Sequence, residues 1–203
     1  MTFSELQEKI GTQSETEWHQ HKNGGGWVHN TATVDDSAYV GKDAIIFSGD
    51  ARVSGDARVS GNARVSGNAR VSGDAQVSGY ARVSGNAWVS GDAWVSGDAQ
   101  VSGYAWVSGD ARVSGDAWVS GDARVYGDAW VYGDAWTKSP LFIIGTRHAL
   151  TNCKHGHIAI GCHSKPITWW QENFKDVGKK EGYTPEEIEE YGHYIDLFAK
   201  VGK

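Results

Sequence analysis

Cys153, His155, His157 and Cys162 lie within one short stretch near the C-terminal end of the chain, with Arg147, His148 and His163 close by, and these side chains are of types that could do chemistry. On a straight strand Cys153, His155 and His157 would share one face. Cys162 could return across a hairpin to complete four zinc donors. Gly156 argues against this, because it marks a turn that would spoil the alignment, and the spacing is not that of a zinc finger. Cys162 next to His163 suggests a nucleophile and its base, but adjacent strand residues point to opposite sides. A small buried cysteine is the plainer reading. Three more histidines, His19, His21 and His29, sit in WHQHKNGGGWVHN, and none occurs from Ala32 to Thr137.

The elements that must position these groups are read from a repeat. Ala recurs at 32, 38 and 44 and then, after a one-residue insertion in IIFSGD, at every sixth position from Ala51 to Ala135, making eighteen hexads of the form A-x-V-S-G-[D/N]. Ala and Val stand two apart and face one side of an extended strand, while x and Ser face the other. Because x is Arg, Trp or Gln, the Ala/Val side is the inner one. Gly-Asp or Gly-Asn closes each strand with a turn. Such a core is thin: a buried Val is worth roughly 1.5–3 kcal/mol, against about 1–2 kcal/mol of backbone entropy per ordered residue. One coil cannot stand alone, so stability must come from stacking and from capped ends.

The hexads resemble those of hexapeptide-repeat proteins over residues 32–137. The resemblance implies a mainly β fold, a left-handed parallel β-helix with three hexads to a coil and about six coils here, roughly 29 Å tall at about 4.8 Å per coil. One departure is that Ser54 or Ser60, rather than Gly, follows the aliphatic residue. Three regions follow: an N-terminal cap over 1–30, a solenoid over 31–137 and a small α+β domain over 138–203. In the cap, Phe3, Leu6 and Ile10 are spaced for a short helix, and Gly24 to Trp27 make a turn. In the last region LFIIGTRHALTNC and HIAIGC read as two strands of a hairpin, and ITWWQENFKDVGKK reads as a helix whose Trp169 and Trp170 divide between surface and core. A second helix begins at Thr184 with Pro185 and a capping-box Glu187. It shows Ile188, Tyr191, Ile195, Leu197 and Phe198 on one broad face. Tyr126 and Tyr132, which replace Ser, are expected to pack under this domain.

At 18 residues per coil the x positions form three columns: Arg52, Arg70, Trp88, Trp106, Arg124; then Arg58, Gln76, Trp94, Arg112, Trp130; then Arg64, Arg82, Gln100, Trp118, Trp136. Six outward Trp suggest a surface for a partner, glycan or nucleobase, with Arg adding cation–π contact. The competing reading is a set of stacking ladders that stiffen the rod and bind nothing. GDAQVSGYA, at Gly73–Ala81 and again at Gly97–Ala105, supports the ladders, because an offset of four hexads puts the copy on another face. The corner Asp/Asn residues are better explained by turn chemistry than by calcium.

Many hexapeptide-repeat proteins are acyltransferases, and a related group are carbonic anhydrases. Both need histidines that this array lacks, so no catalytic residue and no cofactor is expected. WHQHKNGGGWV, the AxVSGD array and the LFIIGTRH…IAIGC…WW tail are also similar to hexapeptide-repeat proteins of phages and prophages. That resemblance implies an accessory protein without settled activity, acting in the host cytoplasm. Net charge is −6, which disfavours general nucleic-acid binding. No apolar run approaches the roughly 20 residues of a membrane helix, and the N-terminus lacks the pattern of a secretion signal. The expectation is a non-enzymatic binding or scaffold protein, forming a homo-oligomer, a trimer by the resemblance, and engaging a host protein or a small ligand. Its expected contacts are Arg52, Arg70, Trp88, Trp94, Trp106, Arg112, Trp118, Trp130, Trp136, Arg147 and His148. The alternatives are a sponge for an anionic nucleotide-like ligand and an acyltransferase or metal-dependent enzyme.

Overall fold

In the computed structural model, which describes residues 1–202, each A-x-V unit contributes one very short strand. Eighteen of them, from β3 (Thr33–Val34) to β20 (Ala135–Trp136), stack into three parallel sheets that form the faces of a solenoid of about six coils. The pairing offset is 18 residues: Arg52 faces Arg70, Arg70 faces Trp88 and Trp88 faces Trp106. Ala and Val of successive hexads are buried in one continuous core from Val28 to Trp136. The corner glycines hold a left-handed conformation, for which Gly97 (φ 69°) is representative. A Cβ there would lie 3.0 Å from the backbone nitrogen of Gly115 in the next coil, so close stacking and backbone sign both require Gly.

The last hexad departs from the pattern. Trp118 N–H donates to the carbonyl of Asp134, where the repeat would use Ala135, and Trp118 pairs with Ala135 and Val119 with Trp136. Trp136, expected on the outer surface, therefore turns inward and is 3% exposed, while Ala135 points out. The cause is Asp134, the one non-glycine residue with positive φ (42°) among those described. Its Oδ2 accepts the backbone N–H of His155 at 2.8 Å, which ties the turn to the C-terminal sheet. The Trp136 ring closes the open end of the Ala/Val core and stacks on His155 at 5.3 Å.

The other end is closed by α1 (Phe3–Ile10), started by a Thr2–Glu5 capping box, and by β1 (Trp18–Gln20), which is antiparallel to β2 (Trp27–His29) across the Gly24–Gly26 turn. Leu6, Trp18, Trp27 and Ile45 form a separate small core there. Ile45 occupies an x position, yet it is buried because the cap covers it.

Residues 142–201 form a four-stranded antiparallel meander, β21 (Phe142–Ile144), β22 (Ala149–Lys154), β23 (His157–Ile160) and β24 (His163–Pro166), backed by α2 (Ile167–Lys180) and α3 (Pro185–Val201). This corrects the two-strand reading: LFIIGTRHALTNC folds back on itself between Ile144 and Ala149, and polar HSKP adds an edge strand. The Thr184–Glu187 capping box with Pro185 is present. Leu197 is exposed, unlike Tyr191, Ile195 and Phe198. It lies six residues after Tyr191 and so falls about a third of a turn off that stripe. Trp170 is buried and donates to Ile158 O at 3.0 Å, while Trp169 is half-buried. Among the described residues no helix is long and apolar enough to cross a membrane.

Candidate functional site

The outward side chains order themselves into ladders. Trp88 and Trp106 stack in parallel, with centroids 5.0 Å apart. Arg70 lies over Trp88 and Arg124 over Trp106, each at 5.7 Å, so the column reads Arg–Trp–Trp–Arg. Indole N–H groups also bond downward: Trp88 to Ser72, Trp94 to Ser78, Trp106 to Ser90 and Trp118 to Ser102, at 3.1–3.4 Å. The Ser after Val thus receives the indole of the next coil. Five Trp remain partly exposed, Trp118 most at 48%. Arg52 is exposed on the same face as Arg70.

The second feature is a cleft of about 450 Å³ where the C-terminal sheet meets the last coils. Arg112 and Trp130, neighbours on one solenoid face, line it together with Arg147, His148 and Cys162, and with the corner carboxylates Asp110 and Asp128. Tyr132 bonds Ser164 at 2.6 Å and Tyr126 contacts the ring of Phe142 at 5.7 Å, so both tyrosines meet the C-terminal unit as expected. Burial raises the pKa of Tyr132, against the opposing effect of the Ser164 hydrogen bond.

Within the cleft, Arg147 is already engaged. Its Nε lies 3.1 Å from Glu187, its Nη1 donates to the carbonyls of Glu181 and Gly182, and its guanidinium covers Tyr183 at 4.9 Å. The backbone of His148 is held by Tyr191, whose hydroxyl accepts from His148 N–H and donates to its carbonyl. Burial, then the neighbouring Tyr191, pushes the Tyr183 hydroxyl up to about 12. His148 and Cys162 also border a smaller apolar pocket of about 90 Å³ between sheet and helices, walled by Trp170, Phe174 and Tyr191. Sequence reasoning named Arg112, Trp130, Arg147 and His148 separately, and folding brings them together. It missed Asp110 and Asp128, whose place in the turn concealed them.

The four metal candidates are not assembled. Cys153 is buried with Sγ 3.3 Å from Ser164, whereas Cys162 is exposed in the turn at the far end of β23 from His155 and His157. His157 Nδ1 lies 3.0 Å from the His155 carbonyl oxygen. Among the described residues no group of three or more His, Cys, Asp or Glu is placed to hold a metal ion. The N-terminal histidines have local roles: His19 bonds Asn30 at 2.9 Å, His29 packs edge-on against Trp18 at 5.0 Å, and His21 is buried.

Three parallel sheets with an 18-residue offset, a single Ala/Val core and capped ends define a β-solenoid repeat protein. Within the solenoid, residues 48–61, 51–65, 57–73, 63–79, 81–97, 99–121 and 117–133 match the family model described as YdcK Beta solenoid repeat. Neither a curated protein nor a solved structure matches the chain.

Proposed function

We propose that the chain is a non-enzymatic binding and scaffold protein, with the solenoid as rigid spacer and assembly surface and the specific site where the last coils meet the C-terminal sheet. The cleft carries this reading. It joins an indole, Trp130, to a guanidinium, Arg112, that has no ion-pair partner among the described residues, beside two carboxylates. A mixed polar and aromatic lining of this kind suits a protein segment or a small polar ligand. The resemblance to phage and prophage hexapeptide-repeat proteins favours a host component as occupant. The outward indoles favour a homo-oligomer with closed symmetry, a trimer by that resemblance.

Native mass spectrometry of the full chain at micromolar concentration tests this reading. The expected result is a closed oligomer that falls to monomer when Trp94, Trp118 and Trp130 are changed together to Ser, and a retained mass that is lost in Arg112→Ala. A monomeric parent overturns the assembly. Acetyl-CoA turnover by the parent overturns the non-enzymatic reading.

A further inference from the structure

The solenoid face that carries Ile45, Arg64, Arg82, Gln100 and Trp118 holds a second cleft, of about 320 Å³, lined by Phe47, Arg64, Ser66, Arg82, Ser84 and Gln100. Arg64 and Arg82 are register partners on adjacent strands. Like charges placed directly opposite each other destabilise a sheet. Three other solenoid arginines lie over nearby rings, Arg58 over Tyr39, Arg70 over Trp88 and Arg124 over Trp106, whereas Arg52, the register partner of Arg70, and Arg112 have none among the described residues. Arg64 lies over Phe47 at 5.8 Å in the same way, but Arg82 has no ring contact, and neither guanidinium has a carboxylate partner or a hydrogen bond among the described residues. Arg64 is half-buried, and burial together with the Arg82 charge disfavours its protonated form.

The corners show the same bias. Every corner from Asp50 to Asp134 carries Asp except Asn62, Asn68, Tyr80, Asn86 and Tyr104. Four of those five exceptions flank the two arginines in sequence: Asn62 and Asn68 on either side of Arg64, Tyr80 and Asn86 on either side of Arg82. All other repeat arginines have Asp on at least one side, as Arg52 has Asp50 and Asp56, and Arg124 has Asp122 and Asp128. Asn68 donates to Asn86 across coils at 3.3 Å, and Asn62 Oδ1 accepts from Lys9 of α1 at 2.7 Å. In a chain of net charge −6, carboxylates are withheld around one concave pair of guanidinium groups that also presents two hydroxyls and an amide.

The geometry points to an anion-binding site at Arg64 and Arg82 for a phosphate-bearing small molecule, the phosphate oxygens taken by the two guanidinium groups with Ser66, Ser84 and Gln100 as supplementary donors. It lies on the N-terminal half of the solenoid, apart from the Arg112–Trp130 cleft, and stands or falls independently of that site.

Calorimetric titration of the full chain with inorganic pyrophosphate, at low ionic strength and again at about 0.15 M salt where exposed charges are screened beyond roughly 8 Å, tests it. Saturable binding is expected, weakened about tenfold or more in both Arg64→Gln and Arg82→Gln and unchanged in Arg124→Gln. Arg82 is exposed, so its variant is informative even where Arg64→Gln disturbs folding. Asn86→Asp, which restores the carboxylate found at most other corners without touching either arginine, is expected to weaken binding about threefold or more. Absence of saturable binding at millimolar pyrophosphate overturns the site, as does equal loss in Arg124→Gln, which would reduce it to diffuse charge.

Discussion

Tyr183 shows how one side chain couples the C-terminal unit to pH. It is pushed up to about 12 from its ordinary 10.0, first by burial, then by Tyr191, with Arg147 acting the other way. The folded state therefore keeps a proton that the unfolded chain releases, and the sign follows by linkage. The contribution of Tyr183 is complete below about pH 10 and is lost as pH rises towards about 12. Denaturant midpoints measured across that window are expected to fall with pH in the parent and to fall less steeply in Tyr183→Phe. Tyr132 and Tyr194 are also raised, so some slope remains. Parallel profiles for parent and variant would remove Tyr183 from the account. Trp136 makes a related point, since a residue at an x position of the repeat becomes core because Asp134 is pulled into a left-handed turn by His155. Nothing local to residues 131–136 announces this, as the partner lies in the C-terminal sheet.

At the scale of the element, the ladders can be separated from a mere row of exposed rings. Trp88 and Trp106 are in parallel contact between Arg70 and Arg124, whereas Trp94 and Trp130 on the next face are two coils apart with Arg112 between them. Double-mutant cycles to Ala, read by chemical unfolding, are expected to give a coupling of about 0.5–1.5 kcal/mol for the first pair and none resolvable for the second. Zero coupling for Trp88 and Trp106 would mean that the stack contributes no stability and leave the rings for ligands alone. The inward Ala/Val faces and the columns from Arg52 to Trp130 were legible because alternation along a strand and a hexad period leave little freedom. The four-stranded meander was not. The Gly145–His148 turn is flanked by apolar residues on both sides, and β24 has no apolar residue facing the core to mark it. The clefts were hidden for a different reason: Arg112 comes to line one cleft with His148, and Phe47 another with Arg82, only through coil stacking and end capping, which composition does not encode.

At the scale of the whole molecule, every solenoid contact proposed to matter lies between residues one coil apart or between the last coils and the C-terminal unit. A quasi-one-dimensional array of this sort should tolerate loss of repeats in its middle. Deleting residues 81–98 removes one coil and keeps every later strand on its own face, but takes Arg82 with it. Deleting residues 93–98 removes one hexad, joins Asp92 to Ala99 within the same A-x-V-S-G pattern, and turns everything beyond it by one face relative to α1. Both variants are expected to fold. Small-angle scattering should show the first shorter by about one strand spacing, roughly 4.8 Å, and the second nearly unchanged in length. The hexad deletion retains Arg64 and Arg82 as coil neighbours, and likewise Arg112 and Trp130, but sets Trp106 in place of Gln100 beside Arg82, so pyrophosphate binding should survive it, weakened by loss of that one donor, and be lost from the coil deletion. Unfolding of the hexad variant would show that the faces are not interchangeable, and that the Arg–Trp columns specify the fold as well as decorate it.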